Sequence, residues 1–181
     1  MEFFELEIAG LKRKLPIVYL GPKLRIASLS LLGDVELVEK TAQDLVDILK
    51  RKKIVFDYFV GPEVKVVPLM YEMSKIARLK HYIVCRKAIK GYMVSPLILH
   101  PDNPLKRFKT LVIDGQDGNL VKGKRVVIVD DVVTTGTTIN AVRELMTKAQ
   151  AQVVGVCSIL KQGNVDVADL DYLGKLPVFK E

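Results

Sequence analysis

Paired cysteines and long apolar runs are both missing from this chain of 181 residues. Its two cysteines, Cys85 and Cys157, each lie in an apolar stretch and lack the spacing of a metal site or a disulfide framework. No apolar run approaches bilayer length, and no basic segment followed by an apolar one opens the chain, as in a secretory signal. We therefore expect one cytoplasmic domain that does not enter a membrane.

The charge balance leaves several kinds of partner open. Twenty-eight basic and 21 acidic residues give a formal net charge of +7. This charge is compatible with nucleic acid, with a membrane surface, with an anionic small substrate, and with an ordinary lysine-rich surface. No internal repeat, linker or low-complexity run narrows the choice. The function must therefore be inferred from sequence motifs.

The most informative stretch is RVVIVDDVVTTGTTI, residues 125–139. Its β-branched run Val126–Val129 predicts a strand buried on both faces in a parallel sheet. Asp130 and Asp131 follow at the end of that strand, and apolar residues recur with helical spacing from Ile139 onward. The predicted order is strand, acid pair, Thr/Gly loop and helix.

This order suits a sugar phosphate. A helix N-terminus offers unpaired N–H groups, threonine hydroxyls add donors, and Gly136 lets the backbone approach phosphate oxygens closely. Carboxylates would repel a bare phosphate, so Asp130 and Asp131 are expected to accept hydrogen bonds from sugar hydroxyls or to help hold a hydrated Mg²⁺. The alternative, a buried strand ending in an Asp-capped turn, does not account for two acids and four threonines around one glycine.

The thirteen residues VVIVDDVVTTGTT resemble the phosphoribosyl-diphosphate (PRPP) motif of the type I phosphoribosyltransferases. The resemblance implies an α/β fold, a parallel twisted sheet flanked by helices with a small hood built from the terminal segments. It also implies that Asp130 and Asp131 contact the ribose, and Mg²⁺ indirectly through water or PRPP. The 5′-phosphate would be held by Thr134, Thr135, Gly136, Thr137 and Thr138.

Two further segments supply residues for the diphosphate. The run Glu63-Val64-Lys65 resembles the Glu-Ala-Arg run of adenine-type members, whose loop contacts diphosphate, often through backbone amides in an unusual peptide geometry. Taken alone, it could equally be a Gly-Pro turn with an exposed lysine. The resemblance also places Arg86 and Lys87 on the PRPP phosphates, with Lys90 as a weaker candidate.

The remaining pattern predicts short strands and turns over residues 1–33 and a helix capped by Asp34 that ends at the basic run 50–53. A turn-rich link is predicted over Asp114–Asn119. Helices are expected at Val67–Arg78 and Thr137–Gln150, and strands at Ile54–Val60, Tyr82–Cys85, Thr110–Ile113, Arg125–Val129 and Val153–Leu160.

We expect a single domain over 1–181, with a hood at about 1–33 and 161–181, a core at about 34–160 and a flexible loop at about 88–109. In the resembling family, such a loop closes over PRPP and excludes water. Its polar candidates here are Tyr92, His100, Lys106 and Arg107, although His100 is better explained as a surface histidine. Candidates for a nucleobase clamp, which core packing explains equally well, are Tyr19, Tyr172, Leu176, Val178 and Phe179.

The resemblance implies a glycosyltransferase of purine salvage, in which a nucleobase nitrogen attacks C1 of PRPP and diphosphate leaves. Arg86, Lys87 and Lys65 are the candidate stabilising cations, and Asp131 is the best candidate for proton transfer. Many 6-oxopurine enzymes carry an aspartate where this chain has Thr134, which argues against a hypoxanthine-guanine enzyme of that kind. The Glu63-Val64-Lys65 loop and the closing LPVF most resemble adenine-type members, so adenine is favoured, with AMP as the product. Family members are commonly homodimers, and no nucleic-acid partner is expected.

Other functions stay open at this point. Hypoxanthine-guanine, xanthine and orotate enzymes are the alternatives within the family. A non-catalytic PRPP-binding transcription regulator is a second class, but it usually adds a helix-turn-helix, and the first 33 residues of this chain are strand-like. Hydrolysis or synthesis of sugar diphosphates has no nucleophile or ATP motif to support it.

Overall fold

The computed structural model describes residues 2–19, 24–100 and 110–180, which form three β-sheets and four α-helices. The helices are α1 (Val35–Arg51), α2 (Val67–Ile76), α3 (Gly115–Val121) and α4 (Thr137–Lys148). The strands are β1 (Phe3–Ile8), β2 (Leu11–Tyr19), β3 (Leu24–Ala27), β4 (Tyr58–Pro62), β5 (Ile83–Cys85), β6 (Leu97–Leu99), β7 (Leu111–Ile113), β8 (Arg125–Val133), β9 (Gln152–Gln162), β10 (Leu170–Leu176) and β11 (Val178–Lys180).

The central sheet is parallel, with strand order β10-β9-β8-β4-β5. Residues 126–129 of β8 are fully buried, as predicted for a strand covered on both faces. Val127 and Val129 face a core shared with α1 and α2, whereas Val126 and Ile128 face a second core shared with α4. This architecture confirms the predicted α/β fold, and it brings the carboxyl ends of β4, β5 and β8 to one edge of the sheet.

Two central strands have different bounds from those predicted. Strand β8 continues to Val133, so the acid pair lies within the strand and not after it, because ladder pairing with β9 persists from Asp130 opposite Ser158 to Val133 opposite Lys161. Strand β4 begins only at Tyr58. Before it, Asp57 forms a hydrogen-bonded junction with Arg125, in which its carboxylate accepts from the Arg125 backbone N–H.

The predicted turn-rich link at Asp114–Asn119 is wrong, because helix α3 begins at Gly115. Asp114 caps this helix, and its side chain accepts a hydrogen bond from the backbone N–H of Gln116. Gly115 is required by packing, since a Cβ there would lie 2.4 Å from the carbonyl oxygen of Val94. Glycines that resemble a turn in the sequence therefore permit close approach of two backbone segments.

The terminal segments form an antiparallel sheet with order β1-β2-β3-β11. The C-terminal tail is shared between two sheets, because β10 pairs in parallel with β9 at the edge of the central sheet and only β11 joins the terminal sheet. Strands β6 and β7 form a separate antiparallel pair. The predicted division into hood, core and flexible loop stays a prediction.

Arg13 ties the terminal sheet to the start of α1. Its guanidinium donates to both carboxylate oxygens of Asp34, at 2.7 and 3.0 Å, and to Glu36 Oε2 at 2.9 Å. Asp34 also caps α1, as predicted, by accepting the backbone N–H of Leu37 at 3.1 Å. The Arg13 guanidinium holds the pKa of the Asp34 carboxyl below its usual value.

Replacing Asp34 by alanine should lower the free energy of unfolding at pH 7 by about 1 to 2 kcal/mol, because a helix cap and a partly buried ion pair are both lost. Since the pKa of Asp34 is depressed on folding, its contribution is complete above the unfolded pKa of about 4 and declines as the pH falls through the folded value. Urea unfolding at pH 7 and at pH 3 measures the free energy of unfolding. The difference in this free energy between wild type and variant should be smaller at pH 3. An equal difference at both pH values would contradict it, and Asp44→Ala, an exposed change on α1, is the control.

Candidate active site

The loop between β8 and α4 has the geometry expected of an anion site. Gly136 adopts a left-handed conformation with φ of +74° immediately before α4, and its carbonyl accepts the N–H of Asn140 at 2.9 Å. The hydroxyls of Thr135 and Thr137 lie 2.9 Å apart at the first turn of the helix. Thr134 and Thr135 are exposed, and Thr138 is half-buried. Polar groups at a helix N-terminus of this kind can bind a phosphate.

The two acids beside this loop have different surroundings. Asp130 is 7% exposed, and its carboxylate accepts the backbone N–H of Asp131 at 2.9 Å. Burial, and then the neighbouring charge of Asp131, raise the pKa of Asp130 well above its usual value. The Asp131 side chain is 15% exposed and lies 3.9 Å from Lys65 Nζ. Asp131 is therefore the more accessible carboxylate of the pair.

The loop after β4 lies on the opposite side of these acids. Lys65 Nζ is placed between Asp131 and the carbonyl oxygen of Leu29, to which it donates at 3.1 Å. The peptide bond between Glu63 and Val64 is cis. Lys65 thus links the segment after β3 to the acid pair, in addition to any contact with a ligand.

The residues after β5 are fixed from two sides. Arg86 exchanges two backbone hydrogen bonds with Val112, at 2.7 and 2.8 Å, so β7 sets the direction in which this residue leaves the strand. Its guanidinium lies 3.5 Å from Glu63 Oε2, and the backbone N–H of Lys87 donates to Glu63 Oε1 at 2.8 Å. Lys90 is close enough for its charge to lower the pKa of Glu63. The Arg86 guanidinium, the Lys87 N–H and the Lys90 charge therefore all act on the Glu63 carboxylate.

A cleft of about 310 Å³ joins most of these parts. It runs between the loop after β4 and the end of β8, and its lining includes two lysines and three carboxylates. Its lining residues are Pro62, Glu63, Val64, Lys65, Val66, Lys87, Asp130, Asp131, Val132 and Thr138. Segments that are far apart in the sequence thus meet at the carboxyl edge of the central sheet, where open α/β sheets bind ligands.

The candidates for the closing loop and the nucleobase clamp lie outside this cleft lining. Tyr92 and His100 are exposed, and His100 Nδ1 is 3.4 Å from the Thr110 hydroxyl. Lys106 and Arg107 lie outside the described residues. Among the clamp candidates, Tyr19 and Val178 are exposed, Tyr172 lies under Lys161, Leu176 is buried in the core, and Phe179 packs against Phe4.

Sequence reasoning missed three contributors to the site. The carbonyl of Leu29 holds Lys65, but a backbone acceptor leaves no mark in the sequence. Asp117 on α3 acts electrostatically on Arg86, and its pKa is raised by burial and by Asp114. Val167 packs within 2.6 Å of the position that a Cβ on Gly136 would occupy, which explains why the loop needs glycine there.

A parallel sheet that presents an acid pair, a Thr/Gly loop before a helix and a cationic loop at one edge defines an α/β protein that binds an anionic sugar derivative. The family model of the phosphoribosyl transferase domain matches residues 32–173. The chain therefore belongs to the phosphoribosyl transferase domain family, which indicates an enzyme of the glycosyltransferase class.

Relatives with known names support this assignment. The adenine phosphoribosyltransferase of Clostridium botulinum is 28% identical over 93% of this chain and 94% of its own length. The orotate phosphoribosyltransferase of Bartonella quintana is 33% identical over 73% of this chain, which spans 59% of that protein. Two shorter matches, to the adenine phosphoribosyltransferases of Rhodospirillum rubrum and Treponema denticola, span 44% and 30% of those relatives.

The fold is shared with solved structures. Adenine phosphoribosyltransferase from Thermoanaerobacter pseudethanolicus superposes with a TM-score of 0.73 at 19% identity, covering 89% of this chain and 95% of that one. No helix among the described residues is both long and apolar enough to cross a membrane.

Proposed function

We propose that this enzyme transfers the phosphoribosyl group of PRPP to adenine, yielding AMP and diphosphate. The observation that carries the proposal is the cleft in which Asp131 and Thr138 face Lys65 and Lys87. This arrangement provides a carboxylate for ribose hydroxyls, a helix start for the 5′-phosphate and cations for the departing diphosphate, all within one space.

Catalysis then depends mainly on positioning and charge. The Thr134–Thr138 loop and the acid pair hold ribose 5-phosphate in place, while a base nitrogen attacks C1 and the bond to diphosphate breaks. Lys65, Arg86 and Lys87 stabilise the negative charge that develops on the leaving group. Asp131 is the candidate for accepting a proton, since it is the accessible carboxylate.

Magnesium would fit at Asp131. The described residues contain no group of three or more His, Cys, Asp or Glu side chains that could enclose a metal ion. Mg²⁺ commonly keeps several waters and uses one or two carboxylates together with substrate phosphates, so a single accessible carboxylate beside an anion site suits it. When bound, the ion would supply charge neutralisation for the diphosphate.

Adenine is favoured by two observations. Thr134 is exposed at the position where many 6-oxopurine enzymes of this class have an aspartate, and its hydroxyl cannot serve as a base at neutral pH, which argues against a hypoxanthine-guanine enzyme of that kind. A relative that matches nearly the full chain is named for adenine. A cytoplasmic homodimer with no nucleic-acid partner completes the proposal.

The test is release of diphosphate from PRPP and Mg²⁺ with adenine, hypoxanthine, guanine, xanthine and orotate in separate assays. We expect adenine to give a kcat/KM at least 100-fold above that of any other base. Faster release with orotate or with a 6-oxopurine would reassign the base and leave the transferase assignment in place. PRPP binding without release for any base would instead identify a non-catalytic PRPP binder.

A further inference from the structure

Glu63 connects the two loops that face the proposed diphosphate position. Its backbone N–H donates to the carbonyl of Cys85 at 2.9 Å, and its carboxylate accepts the backbone N–H of Lys87 at 2.8 Å. The residues that flank Arg86 on both sides are therefore bonded to one residue of the loop after β4. Together these two hydrogen bonds hold the loop and the start of the cation run in a fixed relation.

The carboxylate of Glu63 also carries charge into this position. Its second oxygen, Oε2, lies 3.5 Å from Arg86 Nη1, and the Glu63 side chain is 19% exposed. Burial alone would raise the pKa of this carboxyl. The Lys87 N–H and the cations of Lys90 and Arg86 outweigh burial, so the pKa lies below its usual value. Glu63 is accordingly an ionised acid among cations.

These contacts do not suit Glu63 as a ligand of diphosphate, which is the role that the motif resemblance implies. An ionised carboxylate has acceptors only and repels a phosphate, and the backbone N–H of Glu63 is already used by Cys85. The donors that remain for an anion in the cleft are the side chains of Lys65 and Lys87 and unused backbone amides. Glu63 is thus better suited to orient those donors than to bind the ligand.

We propose that Glu63 is a positioning residue, which holds the loop at residues 63–66 against Arg86 and Lys87 so that their donors converge on the diphosphate of PRPP. This inference rests on the proposed function. The hydrogen bond to the Lys87 N–H is the essential contact, and the negative charge is secondary, because an uncharged oxygen in the same place can accept the same N–H.

Glu63→Gln and Glu63→Ala separate these contributions. Glutamine retains an oxygen for the Lys87 N–H, whereas alanine removes it. We expect alanine to raise the dissociation constants of PRPP and of inorganic diphosphate about 10- to 30-fold in calorimetric titrations with Mg²⁺, and glutamine to stay within about threefold of wild type. Ribose 5-phosphate, which lacks the diphosphate, should bind the alanine variant and wild type equally. Glu144→Gln, an exposed change on α4, is the matched charge control.

Several results would overturn the inference. Diphosphate affinity that is unchanged in alanine, or lost equally in glutamine and alanine, would exclude the hydrogen bond as the positioning contact. Diphosphate binding that is more than tenfold tighter in the Glu63→Gln variant would mean that Glu63 acts only by opposing the ligand's charge. Equal weakening of ribose 5-phosphate and diphosphate would show general loosening of the site. If wild type binds neither PRPP nor diphosphate, the proposed function itself fails, and the inference fails with it.

Discussion

Asp131→Asn is expected to lower kcat/KM for PRPP by about 100-fold, which corresponds to about 2.7 kcal/mol of lost transition-state stabilisation. The side chain keeps its size, but it loses its charge and one of its two acceptor oxygens. Both matter here, because the carboxylate faces the cleft and would accept ribose hydroxyls while positive charge develops on the ribose ring. Steady-state kinetics with varied PRPP at saturating base measures the effect.

The fold should survive this substitution. Asp131 is partly exposed, and Lys65 retains its hydrogen bond to the Leu29 carbonyl when the carboxylate is neutralised. The melting temperature is therefore expected to stay within a few degrees of wild type. Asp44→Asn, an exposed change on α1 outside the cleft lining, removes the same charge and should leave kcat/KM unchanged. Activity of Asp131→Asn within threefold of wild type would contradict a role for this carboxylate at the ribose.

Gly136→Ala is expected to reduce kcat/KM for PRPP by 100-fold or more and to lower the free energy of unfolding by about 2 kcal/mol. Two causes combine at this residue. Its φ of +74° is unfavourable for an L side chain, and the added Cβ would lie 2.6 Å from a methyl carbon of Val167. Relief of the φ strain moves the loop that begins α4, which is the proposed 5′-phosphate site, whereas relief of the contact moves either this loop or Val167. PRPP titration and urea unfolding measure the two effects separately.

Gly123→Ala is the matched control for this prediction. Gly123 has a φ of +69°, close to that of Gly136, but no atom lies within 4 Å of the position of its Cβ. The Gly123→Ala variant should therefore lose only about 1 kcal/mol of unfolding free energy, the conformational cost, and should keep full activity. If Gly136→Ala behaved like Gly123→Ala in both measurements, close packing of the phosphate loop against Val167 would have no functional importance.

The parts of the site that follow from a continuous motif were predictable. The apolar run of β8, the acid pair and the loop before α4 are local features, since each depends on hydrophobic periodicity or on turn and cap chemistry within a few residues. The end of β8 was not predictable from the same run. The strand continues to Val133 because its backbone pairs with β9, and ladder hydrogen bonds do not require apolar side chains.

Contacts between distant segments were the second feature that the sequence could not predict. The link at Asp114–Asn119 contains glycines that are typical of a turn, but Gly115 is there because α3 packs against the carbonyl of Val94. The role of Glu63 could not be assigned from its motif, because its partners are backbone groups of a distant segment, the Cys85 carbonyl at the end of β5 and the Lys87 N–H just after it. The split of the tail between β10 and β11 likewise depends on the parallel pairing of β10 with β9.

The most direct test of the central claim is the stoichiometry of the reaction with PRPP, Mg²⁺ and adenine. Diphosphate and AMP are quantified in the same time course, with the Asp131→Asn variant as the control for background activity. Transfer of the phosphoribosyl group predicts one AMP for each diphosphate released. Release of diphosphate without a nucleotide would mean hydrolysis, and PRPP binding that yields neither product would mean that the cleft binds its ligand without catalysis.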